Sequence, residues 1–163
     1  MPPGKRRHVL LVDAETYVWE VVRHCLGDGY RTSAAATRHK GIRILQDDAP
    51  DVMIVDVMLS EAFGLPFAFH GLHRQIPIVM VTTNHVLARR AARLGCAILR
   101  KPYSPSELRE FVDDAADNPD NNLAGHRKAL ERIRIDRRER EAVLRLLAGA
   151  REGVRMTSRL SDC

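Results

Sequence analysis

No apolar run in this sequence approaches the roughly 18 residues that a membrane-spanning helix needs, so no membrane association is expected. The basic N-terminal stretch "MPPGKRRHVLLV" loses its apolar run at Asp13, too early for the core of a secretory signal. Cysteine is scarce and odd in number: Cys25, Cys96 and Cys163 stand far apart and no CxxC pair occurs. That argues against a disulfide framework or thiolate zinc site. Cys25 and Cys96 read instead as small apolar residues in a helix and beside a strand, and Cys163 as a tail thiol. Internal repeats and low-complexity tracts are absent. His70 and His73 lie one helical turn apart, but two imidazoles without a third ligand do not make a metal centre. Together these absences point to a cytoplasmic protein.

A large charge of one sign is also missing from most of the chain. The formal net charge is +5, yet residues 1–118 carry 15 Lys and Arg against 14 Asp and Glu, whereas residues 119–163 carry 11 against 7. The basic character therefore belongs to the tail and does not make the larger part a nucleic-acid binder. Lys5–Arg6–Arg7 is too short for a basic patch and reads as a solvated end.

What remains is a globular composition, 45% hydrophobic with mixed charge over 163 residues, enough for one ordinary domain plus an appendage. Four short apolar runs read as buried strands: His8–Val12, Val52–Val55, Ile78–Val81 and Ala97–Leu99. A fifth strand, Arg31–Ala36, follows a helix over Thr16–Leu26 in which Val18, Val21, Val22, Cys25 and Leu26 recur at helical spacing, with a stop at Gly27 and Gly29. A helix over about His39–Gln46 is weakened by Gly41. Further helices are expected over Leu65–Arg74 and Val86–Leu94, with a loop over Val57–Phe63. Ser104–Pro105–Ser106–Glu107 opens the next helix, with Ser104 as N-cap, Pro105 in the first turn and Glu107 closing a capping box. Alternating strands and helices with short loops make a (βα)5 unit of about 118 residues with a parallel sheet. "DNPDNN", residues 117–122, is turn-rich and marks a boundary, giving one domain over 1–118 and a basic helical extension over 119–163.

The strands end on chemistry. Asp13, Asp56, Thr82 and Lys101–Pro102 each follow an apolar run, so a parallel sheet brings their side chains to its carboxyl edge, where such sheets bind ligands. Attack by a carboxylate on a phosphorylated donor sets anion against anion. It becomes feasible when a divalent cation bridges the oxygens and a lysine neutralises further charge. Asp13, Asp56 and the backbone carbonyl of Met58 suit Mg²⁺, which takes oxygen ligands and keeps several waters. Thr82 and Lys101 suit the captured phosphoryl group, and Asp56 is the expected acceptor.

"HVLLVDAE", "PDVMIVDVMLSEAFGL", "PIVMVTTN" and "LRKPYSPSEL" together resemble the receiver domain of bacterial two-component response regulators (the CheY-like superfamily), over roughly residues 7–117. The resemblance implies an α/β fold: a (βα)5 doubly wound, five-stranded parallel sheet (the flavodoxin-like receiver fold), here with a C-terminal helical extension. It implies phosphoacceptor Asp56 with Gly64 eight residues on, a strand-ending hydroxyl in Thr82, and Lys101–Pro102 in the family's usually cis bond. It also implies a sensor histidine kinase or histidine phosphotransfer protein as phosphodonor, output through contacts with a downstream protein target, and a chain that is not itself an enzyme. Departures are equally specific. The family's second acid after the first strand, usually a metal ligand, is Ala14, which weakens Mg²⁺ binding unless Glu15 replaces it. The usual Pro after the acceptor is Ser60, the small residue after the hydroxyl is Thr83, and the aromatic switch residue is Ile98. Trp19 reads either as a core-edge residue or as a partner contact on the first helix.

In the tail, "RIDRREREAVLRLLAGAREG" is similar to the opening helix of a LuxR/FixJ-type helix-turn-helix. A complete module takes about four helices, and only about a dozen residues follow Gly149, so DNA binding is not the leading expectation. Leu130, Ile133, Val143, Leu144 and Leu147 suit an amphipathic partner or homodimerisation helix, although Arg137 and Arg140 interrupt any heptad. Two alternatives stay open: a truncated DNA-binding transcriptional regulator, and a degenerate, non-phosphorylated receiver acting as a binding module.

Overall fold

A computed structural model of the protein describes residues 6–59, 62–120, 123 and 124. The expectations for the tail helices, the helix-turn-helix resemblance, Cys163 and Ser60 lie outside the described residues, as does the side chain of His73. Among the described residues the elements follow in order: β1 (Arg7–Val12), α1 (Thr16–Leu26), β2 (Tyr30–Ala35), α2 (Arg38–Asp47), β3 (Val52–Asp56), β4 (Met58–Leu59), β5 (Ala62–Phe63), α3 (Gly64–His73), β6 (Ile78–Thr82), α4 (His85–Arg93), β7 (Ala97–Arg100) and α5 (Pro105–Asp117). Among the described residues no helix is long and apolar enough to cross a membrane.

Five strands form one parallel sheet in the order β2-β1-β3-β6-β7. Every residue of β3 and β6 is buried, as a parallel sheet covered by helices on both faces requires. Alternate residues serve the two faces. Val9, Leu11, Ile54, Val79, Val81 and Leu99 pack with Val18, Val22 and Leu26 of α1 and Leu108 and Val112 of α5. Leu10, Val12, Met53, Val55, Ile78 and Met80 are fully buried on the other side, where α2, α3 and α4 contact β1, β3 and β6. Each such side chain adds roughly 1.5–3 kcal/mol through burial. The expected (βα)5 doubly wound sheet is the fold observed.

Three local expectations need correction. Val21 does not join the core stripe of α1: it is 50% exposed, because Val18, Val22 and Leu26 already form the inward face and Val21 lies on its flank. Arg7 is not a solvated end but the first residue of β1, hydrogen-bonded to Asp117 at the end of α5. The segment Val57–Phe63 is not a plain loop, since Met58–Leu59 pairs antiparallel with Ala62–Phe63.

Gly41, which weakened the expectation of α2, has a packing reason. A β-carbon there would stand 2.8 Å from the Phe67 ring, and Phe67 is fully buried. At the other end of the domain, Ser104 and Glu107 form the expected capping box of α5, with Pro105 in its first turn.

The geometry that matters most is the point where strand order reverses. From β1 the chain crosses to β2 on one side, and from β3 to β6 on the other, which opens a crevice beyond their carboxyl ends. Val12 is in register with Val55, so Asp13 and Asp56, the next residues of each strand, emerge side by side.

Candidate functional site

Asp56 ends β3 with 9% of its surface exposed, and Asp13 follows β1 with 3%. Burial of two carboxylates so close together is unfavourable without compensation, and each has donors. The Met58 N–H donates to Asp56 Oδ1 at 2.6 Å, and the Lys101 ammonium donates to Asp56 Oδ2 at 2.6 Å. Asp13 Oδ1 accepts the Glu15 N–H at 2.8 Å, while its Oδ2 lies 3.7 Å from the same ammonium. Lys101 thus stands against both acids. Its own backbone N–H donates to the Thr82 carbonyl at 3.1 Å, and a cis bond joins it to Pro102.

The charges act on one another through this contact. Burial raises the pKa of Asp13, the Glu15 N–H and Lys101 oppose that shift, and the charges of Asp56 and Glu15 reinforce it. For Lys101 burial works the other way, but the hydrogen bond and charge of Asp56, aided by Asp13, outweigh it and hold the ammonium above the ordinary lysine pKa.

A cavity of about 380 Å³ opens over these groups, lined by Asp13, Ala14, Glu15, Asp56, Met58, Thr82, Thr83 and Lys101. All six residues singled out from sequence meet there. Thr82 is 2% exposed, and its Oγ1 accepts the Asn84 N–H at 2.9 Å. A hydroxyl both donates and accepts, so this bond leaves its proton for a ligand in the cavity. Glu15 lines the cavity, while its carboxylate accepts a hydrogen bond from the exposed Tyr17 at 2.7 Å.

The donor set is all oxygen: the carboxylates of Asp13 and Asp56 and the carbonyl of Met58. That chemistry fits Mg²⁺ with several retained waters. It is one acid poorer than the receiver pattern, because Ala14 offers no ligand. Among the described residues no group of three His, Cys, Asp or Glu is arranged to hold a metal.

Three contacts were not evident from sequence. The Trp19 indole N–H donates to the Asp13 carbonyl at 3.1 Å, and the Lys40 ammonium sits 5.5 Å from the ring centroid, so Trp19 is a half-buried core-edge residue tied to the site. Asn84 caps α4 through Val86 and Leu87 N–H groups while its own N–H holds Thr82. An N-cap residue type two positions after a strand-ending hydroxyl was the available signal. Gly64 lets α3 start against the Asp56 backbone, where a β-carbon would stand 2.2 Å from the Asp56 carbonyl oxygen.

Residues 9–113 match the family model of the response regulator receiver domain. The chain belongs to that family. It is therefore a receiver domain of the kind found in two-component systems, whose relatives here are bacterial. It is 29% identical over 110 residues to the phosphate regulon transcriptional regulatory protein PhoB of Escherichia coli (strain K12), covering 63% of this chain and 48% of PhoB. The chain spans about half the length of the curated relatives it matches. Among solved structures, the chemotaxis response regulator CheY4 of Vibrio cholerae aligns with a TM-score of 0.61 at 26% identity, over 67% of this chain and 98% of CheY4. The receiver domain of NtrX from Brucella abortus aligns with a TM-score of 0.61 at 25% identity, over 67% and 98%.

Proposed function

We propose that Asp56 accepts a phosphoryl group from a sensor histidine kinase or a histidine phosphotransfer protein, and that the chain passes this state on through protein contacts. The observation that carries the reading is the Lys101 ammonium, 2.6 Å from Asp56 Oδ2 and 3.7 Å from Asp13 Oδ2, inside a cavity lined by the strand-ending hydroxyl. In the transfer, an Asp56 carboxylate oxygen forms a bond to phosphorus as the donor's P–N bond breaks. The electron pair of that bond leaves with the imidazole, which takes up a proton. Lys101 keeps the two carboxylates from repelling the incoming anion, and its charge pairs with the new phosphoryl oxygens. Thr82 donates its hydroxyl proton to one of them, and α4, which begins one residue beyond Asn84, feels that movement.

Mg²⁺ held by Asp13, Asp56 and the Met58 carbonyl would supply the positive charge that lets two anions approach. On this reading the chain works as a phosphoacceptor in the cytoplasm and not as an enzyme on a separate substrate. Its downstream partner is a protein, with homodimerisation a route to output.

Ala14 in the cavity wall favours a second reading, a receiver retained as a binding module without phosphorylation. A transcriptional role is supported by the names of curated relatives such as PhoB and TcrX, across about half of their length. A deciding experiment treats the full chain with acetyl phosphate or beryllofluoride, with and without Mg²⁺, beside Asp56→Asn and Ala14→Asp. Intact-mass spectra are expected to gain one phosphoryl group in the wild type and none in Asp56→Asn. No modification of the wild type under any condition would sink the phosphoacceptor reading. A large gain confined to Ala14→Asp would show that the missing acid limits the site.

A further inference from the structure

A groove of about 550 Å³ lies between α4 and β7 and shares no lining residue with the phosphoacceptor cavity. Three of its lining residues are apolar, Ala88, Ala92 and Ile98, and three are exposed bases, His85, Arg89 and Arg100. His85, Ala88, Arg89 and Ala92 recur at i, i+3, i+4 and i+7, so one face of α4 forms the helical wall. The Arg100 guanidinium donates to His85 Nδ1 and joins that wall to β7. The charge around the groove has one sign. Between Glu61 and Glu107 the sequence has no Asp or Glu and six Lys and Arg. Among the described residues Arg89, Arg90 and Arg93 make no ion pair. Small apolar side chains thus lie beside guanidinium groups whose charge nothing described offsets.

We propose that this groove docks an acidic, amphipathic helix of a second protein, its apolar side chains over Ala88, Ala92 and Ile98 and its carboxylates on Arg89 and Arg100. The inference gives the partner chemistry for output through protein contacts, and it rests on that reading. Charge complementarity selects the occupant. The chain's own extension, residues 119–163, carries 11 Lys and Arg against 7 Asp and Glu, so like charge disfavours it. A second copy meeting face to face brings the same arginines. The acid-rich α5 of a second copy does not suit the groove either. Glu107 caps its own helix, and Asp113, Asp114 and Asp117 are held by Tyr30, Asn118 and Arg7. Leu108, Val112 and Ala115, the apolar residues of α5 that a partner would need, are buried in its own core. Nucleic-acid phosphates would satisfy the arginines and leave the three apolar residues without a partner.

The test titrates the full-length chain against a fluorescein-labelled synthetic helix with Leu at i, i+3, i+4 and i+7 spacing and Glu on both flanks, read by anisotropy. Two further helices carry Gln or Lys in place of Glu. The Glu helix is expected to bind saturably, at least about threefold tighter than the Gln helix, and to weaken as salt rises. Arg89→Gln combined with Arg100→Gln should weaken it about three- to tenfold, the span of two exposed charge pairs. Arg93→Gln, which lies outside the groove on the same helix, should change it less than about twofold and controls for bulk charge. Arg89→Glu combined with Arg100→Glu should transfer the preference to the Lys helix, a gain that an unfolded variant cannot give. Equal binding of the Glu and Gln helices, or equal effects of the double Gln variant and Arg93→Gln, would overturn the inference. So would tighter binding of duplex DNA than of the Glu helix, or a sedimenting dimer that the reversed variant dissolves. Intact mass after acetyl phosphate treatment reads Asp56 separately. Capture there without helix binding overturns this inference alone, and helix binding without capture removes the phosphoacceptor reading and leaves the groove's partner standing.

Discussion

The carbonyl oxygen of Asp56 occupies the space that a side chain at Gly64 would need. A β-carbon at position 64 would lie 2.2 Å from that oxygen and 3.2 Å from its carbon. The Gly64 N–H donates to the Val57 carbonyl at 2.8 Å, closing the segment that runs from the acceptor into α3. The glycine therefore fixes the exit path of the chain from the acceptor strand.

Gly64→Ala is expected to force that backbone apart, since neither clashing atom belongs to a flexible side chain. The loss should be about 2–4 kcal/mol, toward the upper end for overpacking in a tight site. Urea unfolding measures it, and a loss below about 0.5 kcal/mol, the range of ordinary surface substitutions, would show that the segment yields freely.

Much of this architecture was legible because parallel strands buried on both faces leave continuous apolar runs. Val52–Val55 and Ile78–Val81 are such runs, and the residue after each is the one whose side chain reaches the crevice. The hairpin Met58–Leu59 with Ala62–Phe63 was not legible, since two-residue strands carry no periodicity. Val21 was misplaced for a related reason: helical spacing names a face but not its width, and only the stripe through Val18, Val22 and Leu26 is buried. In the site, Asp13, Asp56, Thr82 and Lys101 could be named from strand ends alone. The Trp19 bond to the Asp13 carbonyl and the Tyr17 bond to Glu15 depend on how the first turn of α1 sits over the crevice, which residue types do not reveal. Gly41 shows the reverse case, where a residue that argues against a helix is required by Phe67 beneath it.

Burial raises the Asp13 pKa, so its ionised form is held at a cost to the fold. A carboxyl group whose folded pKa lies above its unfolded value stabilises when protonated, and that contribution is lost as pH rises through the folded pKa. Near neutral pH, Asp13→Asn should therefore raise stability, by on the order of 1 kcal/mol as is common where a functional position is relieved, while weakening Mg²⁺ binding. Thermal unfolding at pH 7 checks this, and a destabilised variant would show that Asp13's pairing with Lys101 outweighs its burial.

His8 makes the opposite case at the other end of β1. It is 2% exposed, its Nε2 shares a hydrogen bond with Ser33 Oγ at 2.8 Å, and its Nδ1 makes no hydrogen bond. Burial and then the charge of Arg31 lower its pKa from 6.5, against the pull of Asp48, Asp51 and the Ala49 backbone. A histidine depressed in the fold binds its proton more readily when unfolded, so stability falls as pH drops below about 6.5 and levels off beneath the folded pKa. The difference in unfolding free energy between wild type and His8→Asn is expected to move in the mutant's favour across that window. A difference independent of pH between 7 and 5 would mean that His8 titrates alike in both states.

Lys101 offers the sharpest separation of structure from function. Its side chain is 26% exposed, so removing its charge should cost less than the roughly 3–5 kcal/mol of a fully buried broken pair; about 1–3 kcal/mol is expected for Lys101→Gln once solvent screening is allowed for. The loss arises because Asp13 and Asp56 are left facing each other without a cation. Adding Asp13→Asn removes that repulsion and should restore most of the stability. It does not return the positive charge needed by the incoming phosphoryl group, so phosphoryl capture from acetyl phosphate should stay at least about tenfold slower than wild type in both variants, as expected for losing a charge that stabilises the transition state. Unfolding curves and intact-mass time courses on the two variants measure the pair. Recovery of capture together with stability in the double variant would show that Lys101 only holds the acids in place and takes no part in handling the phosphoryl group.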